Sequence, residues 1–572
     1  MSRNVVVVGG VAGGMSFAAR LARLDASCRI TVLERGSDVS FANCGMPYYI
    51  GGVIRNRALL TVASKAMLQA RFGLDIRTRH AVTEIRRAEK QVRGVNLETG
   101  EPFSLPYDQL VLATGAEPVR LPIPGAGQPH VLTLNTLEDM DRIAHAAERA
   151  GAAVIIGGGF IGLELAENLR ERGLQVSIVE LTDQVMPPMD PEMTIPILQA
   201  LERNGVQVLL GRKATEIGTA QVTLDDGTRL PAEVVCMCAG VRPRSELAAA
   251  AGLDLGPRGH ILVDKQLRTS DPDIFAVGDV VQVWDRLTGD SCAVPLAGPA
   301  NRQGRTAANI VAGRQDAFPG VCGSAIVKVF DQVAGQSGWS EKRLRAAGMD
   351  YRKMYAHPFQ HPNYYPGAQQ MCVKLLYRPD GGILGVQAIG GEGVDVVVNV
   401  IATAMQGGMT VFDLEQLELV YSPQWGAAKH AVNIAGFAAA NHLRGDVCPV
   451  YPDDPLPGDA FLLDVRTPEE FSAGSIPGAV NIPVDSLSER LAEIPRDRPV
   501  VTYCAVGLRG YVAARKLALA GFQVSNLSGG FKLWNWTRRL KEAAEARPPQ
   551  VSAPASSWAL KAGSEAFPGR GD

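Results

Sequence analysis

Two of the nine cysteines stand in segments whose neighbours favour sulfur chemistry. Cys44 lies in SFANCGMPYYIGG, and the residue five positions on is Tyr49, so this segment holds no second thiol for an internal disulfide. A redox-active thiol here must cycle through a mixed disulfide, a persulfide or a sulfenic acid. The segment reads as a loop entering a helix, whose dipole is expected to lower the pKa of the thiol. The alternative is a small buried apolar side chain without chemistry.

The second cysteine, Cys504, directly follows an apolar strand in VVTYCAVGLRG. The loop from Cys504 to Arg509 opens a helix, and the successive backbone N–H groups of such a turn point at one anion. Gly507 lets the loop curl without a Cβ clash, and Arg509 is expected to add positive charge at the rim. An anionic persulfide on Cys504 is the guest that this loop predicts. The other cysteines have no zinc or iron–sulfur spacing, so no metal site is predicted.

Two strand–glycine–helix units stand far apart in the chain and predict two doubly wound dinucleotide folds. In the second unit, Gly157, Gly159 and Gly162 complete G-x-G-x-x-G between a strand and a helix. Glu180 ends the next strand, 18 residues after Gly162, where a carboxylate holds a ribose 2′-hydroxyl and repels a 2′-phosphate. Leu181 offers no cation instead, so NADH is favoured and NADPH stays possible.

The first unit is an imperfect version of the same pattern. Gly9 and Gly14 occupy the outer glycine positions with Val11 between them, and the following strand ends at Glu34. Two later segments resemble the additional flavin contacts of the flavoprotein disulfide reductases with two dinucleotide domains: LVLATGAEP and DIFAVGDVV. That resemblance implies bound FAD, with contacts from Gly9, Gly14, Glu34, Arg35, Asn43, Thr114, Gly115, Gly278 and Asp279.

The Cys44 segment resembles the single-cysteine branch of that family, over about residues 1–445. The branch contains coenzyme A disulfide reductases, NADH oxidases and NADH peroxidases. Its peroxidases and water-forming oxidases carry a histidine in the first glycine turn, where this chain has Ala12. Tyr365 and Tyr421 stand in segments resembling those of coenzyme A disulfide reductases, where two tyrosines of the partner subunit approach the cysteine. The alternative for each tyrosine is packing in a dimer interface.

Other positions bear on the substrate. By the same resemblance Arg20 and Arg23 meet the phosphates of coenzyme A, the alternative being a solvated helix face. His430 stands where the family usually has an aspartate, and Gln424-Trp425 replaces a proline–aromatic pair, which puts the shape of the substrate mouth in doubt.

The C-terminal segments LLDVRTPEEFSAGSIPGAVNIP and LSGGFKLW resemble rhodanese, the sulfurtransferase fold, across about residues 459–540. In that family the Asp464 and Arg466 positions support the fold. The implied fold class is α/β: two Rossmann-like dinucleotide-binding domains, an α+β dimerisation domain and a C-terminal rhodanese α/β domain. The predicted boundaries are 1–120 with 245–322 for FAD, 121–244 for NADH, 323–448 for dimerisation, 449–458 for a linker, 459–545 for rhodanese and 546–572 for a flexible tail.

Composition excludes several classes of protein. The 572 residues suit about four domains, and a net charge of −2 gives no general attraction for nucleic acid or an anionic membrane. No apolar stretch reaches the roughly 18 residues of a membrane span without glycine or charge. The N-terminus does not resemble a signal peptide, and sparse cysteines of odd number favour a reducing cytoplasm.

Together these features resemble the coenzyme A disulfide reductase–rhodanese fusions, which are NADH-dependent persulfide reductases. The resemblance implies a cytoplasmic homodimer that reduces coenzyme A persulfide, polysulfide or coenzyme A disulfide at Cys44, with sulfane sulfur on Cys504. The alternatives are an NADH oxidase or peroxidase with an accessory sulfurtransferase domain, a plain coenzyme A disulfide reductase, and a flavin-based redox sensor.

Overall fold

The computed structural model describes residues 3–545, so the predicted tail at 546–572 lies outside the described residues. Among the described residues, the chain divides into two compact units. The first contains residues up to 182 together with 201–321, and the second contains 183–200 together with the chain from 322 onward.

The first unit contains two five-stranded parallel sheets. The order of strands in one is Ile274–Ala276, Gln109–Leu112, Asn4–Val8, Arg29–Leu33 and Asp75–Arg77. The order in the other is Gln207–Leu210, Gln175–Glu180, Ala152–Ile156, Val234–Met237 and Val131–Leu132. Their central strands are valine- and isoleucine-rich and, apart from Asn4, buried, as strands covered on both faces must be.

Helices and smaller sheets complete this unit. The helices are Ala12–Leu24, Met46–Ile50, Lys65–Phe72, Leu137–Ala147, Phe160–Glu171, Glu246–Ala250 and Ala297–Val311, with short 3₁₀ turns at Asn43–Gly45 and Arg57–Leu60. Further strands are His80–Arg86, Gln91–Asn96, Pro102–Pro106, Ala116–Pro118, Ala214–Ile217, Gln221–Leu224, Arg229–Pro231, Val241–Pro243, Ile261–Leu262, Val281–Trp284 and Ser291–Cys292.

The second unit begins with an antiparallel sheet. Its strand order is Ala325–Val329, Gln332–Gly338, Ile383–Gly390, Cys372–Tyr377 and Arg352–Ala356. The helices are Glu341–Ala346, Val394–Gln406, Val411–Gln416 and Ala431–Leu443, and most of Pro191–Arg203 also belongs to this unit. This arrangement of helices with an antiparallel sheet is the predicted α+β domain.

A third parallel sheet follows in the same unit. Its strand order is Pro449–Val450, Val524–Leu527, Val500–Tyr503, Phe461–Asp464 and Val480–Asn481, with helices Pro468–Ser472, Leu508–Leu519 and Gly530–Glu545 and a 3₁₀ turn at Leu491–Glu493. The predicted linker at 449–458 is wrong in its first two residues. They form an edge strand of this sheet, because Pro449–Val450 pairs with Asn526–Leu527.

Candidate functional site: two thiols on parallel-sheet scaffolds

Cys44 lies in the 3₁₀ turn Asn43–Gly45, directly before the helix Met46–Ile50, and its side chain is exposed. The prediction that the pKa of the Cys44 thiol is lowered is wrong: the groups of the protein around this thiol raise its pKa. Partial desolvation raises the pKa of Cys44, and the charges of Glu164 and Asp279 raise it further, against an opposing backbone hydrogen bond. The helix has five residues, too few to build the dipole that the prediction assumed.

Glu164 and Tyr48 form a pair beside this thiol that sequence reasoning missed. The Tyr48 hydroxyl donates a hydrogen bond to Glu164 Oε1 at 3.2 Å. Burial raises the pKa of Glu164 to about 7, so its carboxyl group exchanges a proton near neutral pH. Tyr48 follows Cys44 by four residues, and Glu164 follows Gly162 by two. Their closeness in sequence to the cysteine segment and to the second glycine motif is the signal that could have identified them.

The first glycine turn has the close packing that its motif predicts. Gly9 has φ of +106°, and a Cβ there would collide with the Ala113 carbonyl oxygen. A Cβ at Gly14 would collide with the Gly9 carbonyl oxygen. The Glu34 carboxylate accepts hydrogen bonds from the N–H groups of Gly10 and Gly36, both at 2.7 Å, which fixes it at the end of its strand.

The other predicted flavin contacts lie in the same unit. Thr114 donates from Oγ1 to the Arg244 carbonyl at 2.6 Å, and an added Cβ at Gly115 would meet open space. The Gly278 N–H donates to the buried Gln303 side chain at 2.7 Å, and burial raises the pKa of Asp279 to about 6. Asn43 donates to the Asn135 carbonyl at 3.2 Å, and Arg35 is exposed.

These residues fit a dinucleotide with a flavin. Gly115 leaves space, and Asp279 offers a half-buried carboxyl group that a ligand hydroxyl can satisfy. Gln303 is a supporting residue that the motif did not contain. It lies on the helix Ala297–Val311 and holds the Gly278 turn.

The second glycine turn also fits a dinucleotide. Gly157 has φ of +113°, and a Cβ there would collide with the Cys238 carbonyl oxygen. A Cβ at Gly162 would collide with the Gly157 carbonyl oxygen, whereas one at Gly159 would meet nothing within 4 Å. Gly159 is the N-cap of Phe160–Glu171, so open space lies where a pyrophosphate would meet a helix N-terminus. Glu180 accepts from the N–H groups of Gly158 at 2.7 Å and Thr182 at 2.8 Å.

Arg20 and Arg23 lie on the helix Ala12–Leu24, which follows the first glycine turn. Arg20 donates to Asn309 Oδ1 at 3.1 Å. Desolvation lowers the pKa of Arg20, as do the charges of Arg305, Arg314 and Arg23. The Arg23 guanidinium also lies 5.3 Å from the centre of the Phe72 ring. The fold thus adds two guanidinium groups from later in the chain to the predicted pair.

Tyr365 and Tyr421 belong to the second unit. Tyr365 is half-buried, and its ring packs edge-on against His361 at 5.5 Å. Tyr421 is exposed, as is Trp425. The approach of these tyrosines to a cysteine of a partner subunit stays a prediction.

The departure at His430 has a structural reason. His430 is the N-cap of Ala431–Leu443, and its Nδ1 accepts a hydrogen bond from the Val432 N–H at 3.2 Å. Asn433 Oδ1 accepts in return from the His430 N–H at 3.1 Å. Burial lowers the pKa of His430, which keeps the ring neutral and able to accept. Asp is a preferred N-cap residue, and histidine fills that role here.

Cys504 is buried at the end of the strand Val500–Tyr503. The Gly507 N–H donates to its Sγ at 3.1 Å, and Gly507 has φ of +108°, which favours glycine at this turn. The 12-residue helix Leu508–Leu519 begins immediately afterwards. The loop therefore offers one backbone donor, the Gly507 N–H, to the sulfur, and the predicted set of successive N–H donors to a persulfide stays a prediction.

Arg509, which the sequence predicts to add positive charge at the rim, is paired with an acid. Its Nη1 and Nη2 each donate to one Glu470 carboxylate oxygen at 2.7 Å. Arg509 is the main cause that lowers the pKa of Glu470, to about 2. Sequence reasoning missed Glu470, although Thr467-x-x-Glu470 is a capping box, a helix-start signal readable in the sequence.

Asp464 and Arg466 support the C-terminal sheet, as the resemblance of this segment to rhodanese implies. Arg466 donates to both Asp464 carboxylate oxygens at 2.6–3.0 Å and to the Gly474 carbonyl at 2.6 Å. Its guanidinium also lies 4.3 Å from the centre of the Phe531 ring.

A carboxylate trio in the second unit has the geometry of a metal site. Asp190, Glu192 and Glu341 bring their oxygens within 4.8 Å of one another. However, the ammonium group of the fully buried Lys374 lies 2.9, 2.6 and 2.6 Å from these three carboxylates. The lysine thus occupies the place of a cation among the three carboxylates, and Lys353 adds a second positive charge at Glu341.

None of the helices in residues 3–545 combines the length and apolarity needed to cross a lipid bilayer.

Three family models match consecutive parts of the chain. The pyridine nucleotide-disulphide oxidoreductase model matches residues 3–304, its dimerisation domain matches 324–431, and the rhodanese-like domain matches 453–536. A coenzyme A disulfide reductase of Staphylococcus aureus (strain JH9) is 32% identical over 440 residues, which are 76% of this chain and 99% of that protein.

Three solved structures are similar to this chain over different shares of its length. Reduced Bacillus anthracis CoADR-RHD has a TM-score of 0.93 at 41% identity, covering 94% of this chain and 99% of that one. A NAD-dependent persulfide reductase from A. fulgidus has a TM-score of 0.88 at 37% identity, covering 93% and 100%. The water-forming NADH oxidase from Lactobacillus brevis reaches 0.75 at 26% identity, covering 78% and 99%. These similarities confirm the predicted fold class and resemblance, and the chain belongs to the pyridine nucleotide-disulphide oxidoreductase family, with a rhodanese-like domain at its C-terminal side.

Proposed function

We propose that this oxidoreductase uses NADH, through bound FAD, to reduce coenzyme A persulfide, polysulfide or coenzyme A disulfide at Cys44. Cys504 carries sulfane sulfur for the same substrates. One observation carries the proposal: an exposed single thiol stands among predicted flavin contacts, in a chain that also holds a second thiol whose sulfur accepts a hydrogen bond from the Gly507 N–H. Relatives named for coenzyme A disulfide reduction and for persulfide reduction support it.

The chemistry at Cys44 is a thiol–disulfide exchange. The Cys44 thiolate attacks the coenzyme A sulfur of the S–S bond, and hydrosulfide or coenzyme A thiolate leaves with the bonding electron pair. A mixed disulfide of Cys44 and coenzyme A remains. When bound, FAD reduced by NADH would supply the electron pair that cleaves this mixed disulfide, so that coenzyme A thiolate leaves and the Cys44 thiolate is restored.

Glu164 holds and releases a proton beside the Cys44 sulfur, and Tyr48 orients the Glu164 carboxyl group. A charged Glu164 raises the pKa of Cys44, and a protonated Glu164 removes that repulsion. Because the pKa of Glu164 is about 7, the carboxyl group is able to hold a proton at neutral pH and release it to a leaving thiolate. The Tyr48 hydroxyl, 3.2 Å from Glu164 Oε1, orients that carboxyl group.

The two glycine turns and their acids hold the dinucleotides. Glu34 is proposed for the FAD ribose and Glu180 for the NADH ribose. A phosphate on the latter ribose would meet the buried Glu180 carboxylate, and Leu181 beside it is exposed and uncharged. This arrangement favours NADH over NADPH.

The arginine group Arg20, Arg23, Arg305 and Arg314 suits the phosphates of coenzyme A, because guanidinium groups bind phosphate in a bidentate way. The match to a dimerisation domain supports a homodimer in which Tyr365 and Tyr421 serve the partner's cysteine. A cytoplasmic location stays a prediction.

The test compares oxidants of the NADH-reduced protein at steady state: coenzyme A disulfide, coenzyme A persulfide, polysulfide and oxygen. The proposal expects the sulfur substrates to turn over faster than oxygen, since Ala12 replaces the histidine of the oxidases and peroxidases. Oxygen consumption that outpaces sulfur reduction would favour an oxidase, and a single turnover without further NADH consumption would favour a sensor.

A second arm isolates Cys504. Cys504→Ser is expected to spare coenzyme A disulfide reduction and lose sulfur transfer to cyanide. The control is Cys448→Ser, at an exposed cysteine outside both loops, which should change neither activity. Sulfur transfer retained by Cys504→Ser would refute the carrier role.

A further inference from the structure

The first carbonyl groups of the Cys504 loop are bound by the start of a later helix. The Phe531 N–H donates to the Cys504 carbonyl at 2.8 Å, and the Lys532 N–H donates to the Ala505 carbonyl at 3.0 Å. Both donors lie in the first turn of the helix Gly530–Glu545, where backbone N–H groups have no partner within the helix itself. These two peptide groups of the loop are therefore held in a defined orientation.

The next peptide group is the one that contacts the sulfur. The Gly507 N–H donates to Cys504 Sγ at 3.1 Å, and the carbonyl of the same peptide belongs to Val506. Within residues 3–545, no hydrogen bond of ordinary length and angle reaches this carbonyl. A planar trans peptide directs its C=O and its N–H to opposite sides. A donor that binds the Val506 carbonyl would thus hold the Gly507 N–H against the sulfur.

The imidazole of His357 lacks a hydrogen bond in the same place. Both ring nitrogens are buried, and neither has a partner of ordinary geometry among the residues that the structure describes. A buried polar group in this state costs free energy, and most such groups in proteins find a partner. The ring lies 6.3 Å, centre to centre, from that of Trp536, on the helix whose first turn binds the loop.

The backbone of Val506 acts directly on the His357 ring. Burial and, to a smaller extent, the charge of Lys532 lower the pKa of His357 to about 3. The Val506 backbone opposes both effects, as a carbonyl does when it accepts from a ring N–H. The ring is neutral at physiological pH and keeps one N–H group to donate.

His357 comes from the dimerisation part of the chain. It directly follows the strand Arg352–Ala356, inside the range that the dimerisation model matches. This strand also binds the C-terminal sheet, because the Tyr355 N–H donates to the buried Ser528 Oγ at 3.3 Å. The contact places His357 beside the sulfur-carrying loop of the other domain.

We propose that His357 is a positioning residue for Cys504. Its ring N–H binds the Val506 carbonyl, and the rigid peptide then directs the Gly507 N–H at the sulfur. That N–H stabilises negative charge on a thiolate or a persulfide. The sulfur-carrying thiol of the rhodanese-like domain therefore depends on a side chain of the dimerisation domain. The inference rests on the Cys504 part of the proposed function.

The charged groups around the loop stay in place when His357 is replaced. Arg509 interacts with the charge of Cys504 and is bound to Glu470 at 2.7 Å. Lys532 acts on the His357 ring, and its ammonium group lies 5.5 Å from the centre of the Trp536 ring. A change in the pH dependence of Cys504 on replacing His357 thus reports the Gly507 N–H.

The experiment measures the rate of iodoacetamide alkylation of Cys504 against pH, by peptide mass spectrometry, in the full-length protein carrying Cys44→Ser. His357→Leu removes the donor and should move the midpoint to higher pH by about half a unit or more, because the thiolate is less well stabilised. An unchanged or lower midpoint would overturn the proposal. The exposed Cys448, alkylated in the same samples, is the internal reference.

Three further variants separate the hydrogen bond from packing. His357→Asn keeps an N–H donor near the position of Nδ1, and His357→Gln keeps one near that of Nε2. At least one of them should restore the midpoint of the parent protein, and the one that does identifies the donating nitrogen. His357→Phe has no donor and should shift as His357→Leu does, so the test stands even where the leucine variant fails to fold. Equal midpoints for the amide and phenylalanine variants would refute the hydrogen bond.

The matched control is His442→Leu, which removes another half-buried imidazole of the dimerisation domain, one that contacts the Tyr377 hydroxyl at 2.8 Å. Its Cys504 midpoint should equal that of the parent protein. A shift as large as that of His357→Leu would show general loosening of the domain and overturn the proposal. Sulfur transfer to cyanide by Cys504→Ser is measured separately. Transfer retained there would count against the carrier role and leave the alkylation comparison standing.

Discussion

Cys44 and Cys504 are both single thiols, yet the groups around each sulfur interact differently with a negative charge on it. Cys504 receives a hydrogen bond from the Gly507 N–H, whereas desolvation and the Glu164 charge oppose the Cys44 thiolate. The motif around Cys44 identifies the residue, but it does not show which distant side chain lies beside the sulfur. Glu164 lies 120 residues further along the chain and reaches Cys44 only through the fold.

Glu164→Gln is expected to lower the pKa of the Cys44 thiol. Glu164 destabilises the thiolate when charged, so its neutral replacement should shift the midpoint of alkylation to lower pH, by about one unit or less. The measurement is the rate of iodoacetamide alkylation of Cys44 against pH.

Glu171→Gln is the matched control, since Glu171 lies on the same helix with an exposed side chain. Its midpoint should stay at the wild-type value. A Glu164→Gln midpoint that is unchanged or higher would contradict the assignment.

Among the elements, the strand–turn–helix units were predictable, because glycine spacing and β-branched strands are local signals. The length of the short helix after Cys44 was harder to predict, because the cysteine motif does not encode it. The helix has five residues, and Gly51 and Gly52 follow it. The edge strand Pro449–Val450 was also missed. Its Pro–Asp-rich neighbours predict a linker, while its pairing with Asn526–Leu527 depends on residues far along the chain.

Two glycines of the second turn should respond differently to alanine. Gly157→Ala meets the Cys238 carbonyl at positive φ and should destabilise the protein by about 1–3 kcal/mol. Gly159→Ala meets no protein atom, so the melting temperature should hold while NADH binds about tenfold more weakly. Thermal unfolding and NADH titration check the pair, and equal NADH affinity in Gly159→Ala would contradict the placement of the pyrophosphate.

At the scale of the whole molecule, buried ion pairs connect separate segments of the second unit. Lys374 joins Asp190, Glu192 and Glu341. Lys353 bridges Glu341 and Asp453, at 3.0 and 2.9 Å, and so connects the antiparallel sheet to the segment that leads into the C-terminal sheet. The sequence did not predict this network, since its members come from five separate segments and carry no motif.

Lys374→Met should destabilise the second unit by about 3–5 kcal/mol, because it leaves buried carboxylates without a counter-charge. Neighbouring lysines lower the pKa of Glu341 from 4.5 to about 2, so this stabilisation is present above pH 4.5 and is lost as the pH falls towards 2. Denaturant unfolding at several pH values measures the difference, with the exposed Lys429→Met as control. A difference that persists undiminished at the lowest pH would contradict the charge account.

The most direct test of the central claim is NADH-dependent turnover of coenzyme A persulfide and coenzyme A disulfide by Cys44→Ser, with the bound FAD measured by its absorbance. We expect the variant to retain its flavin and to lose reduction of both sulfur substrates. Full turnover by Cys44→Ser would contradict it.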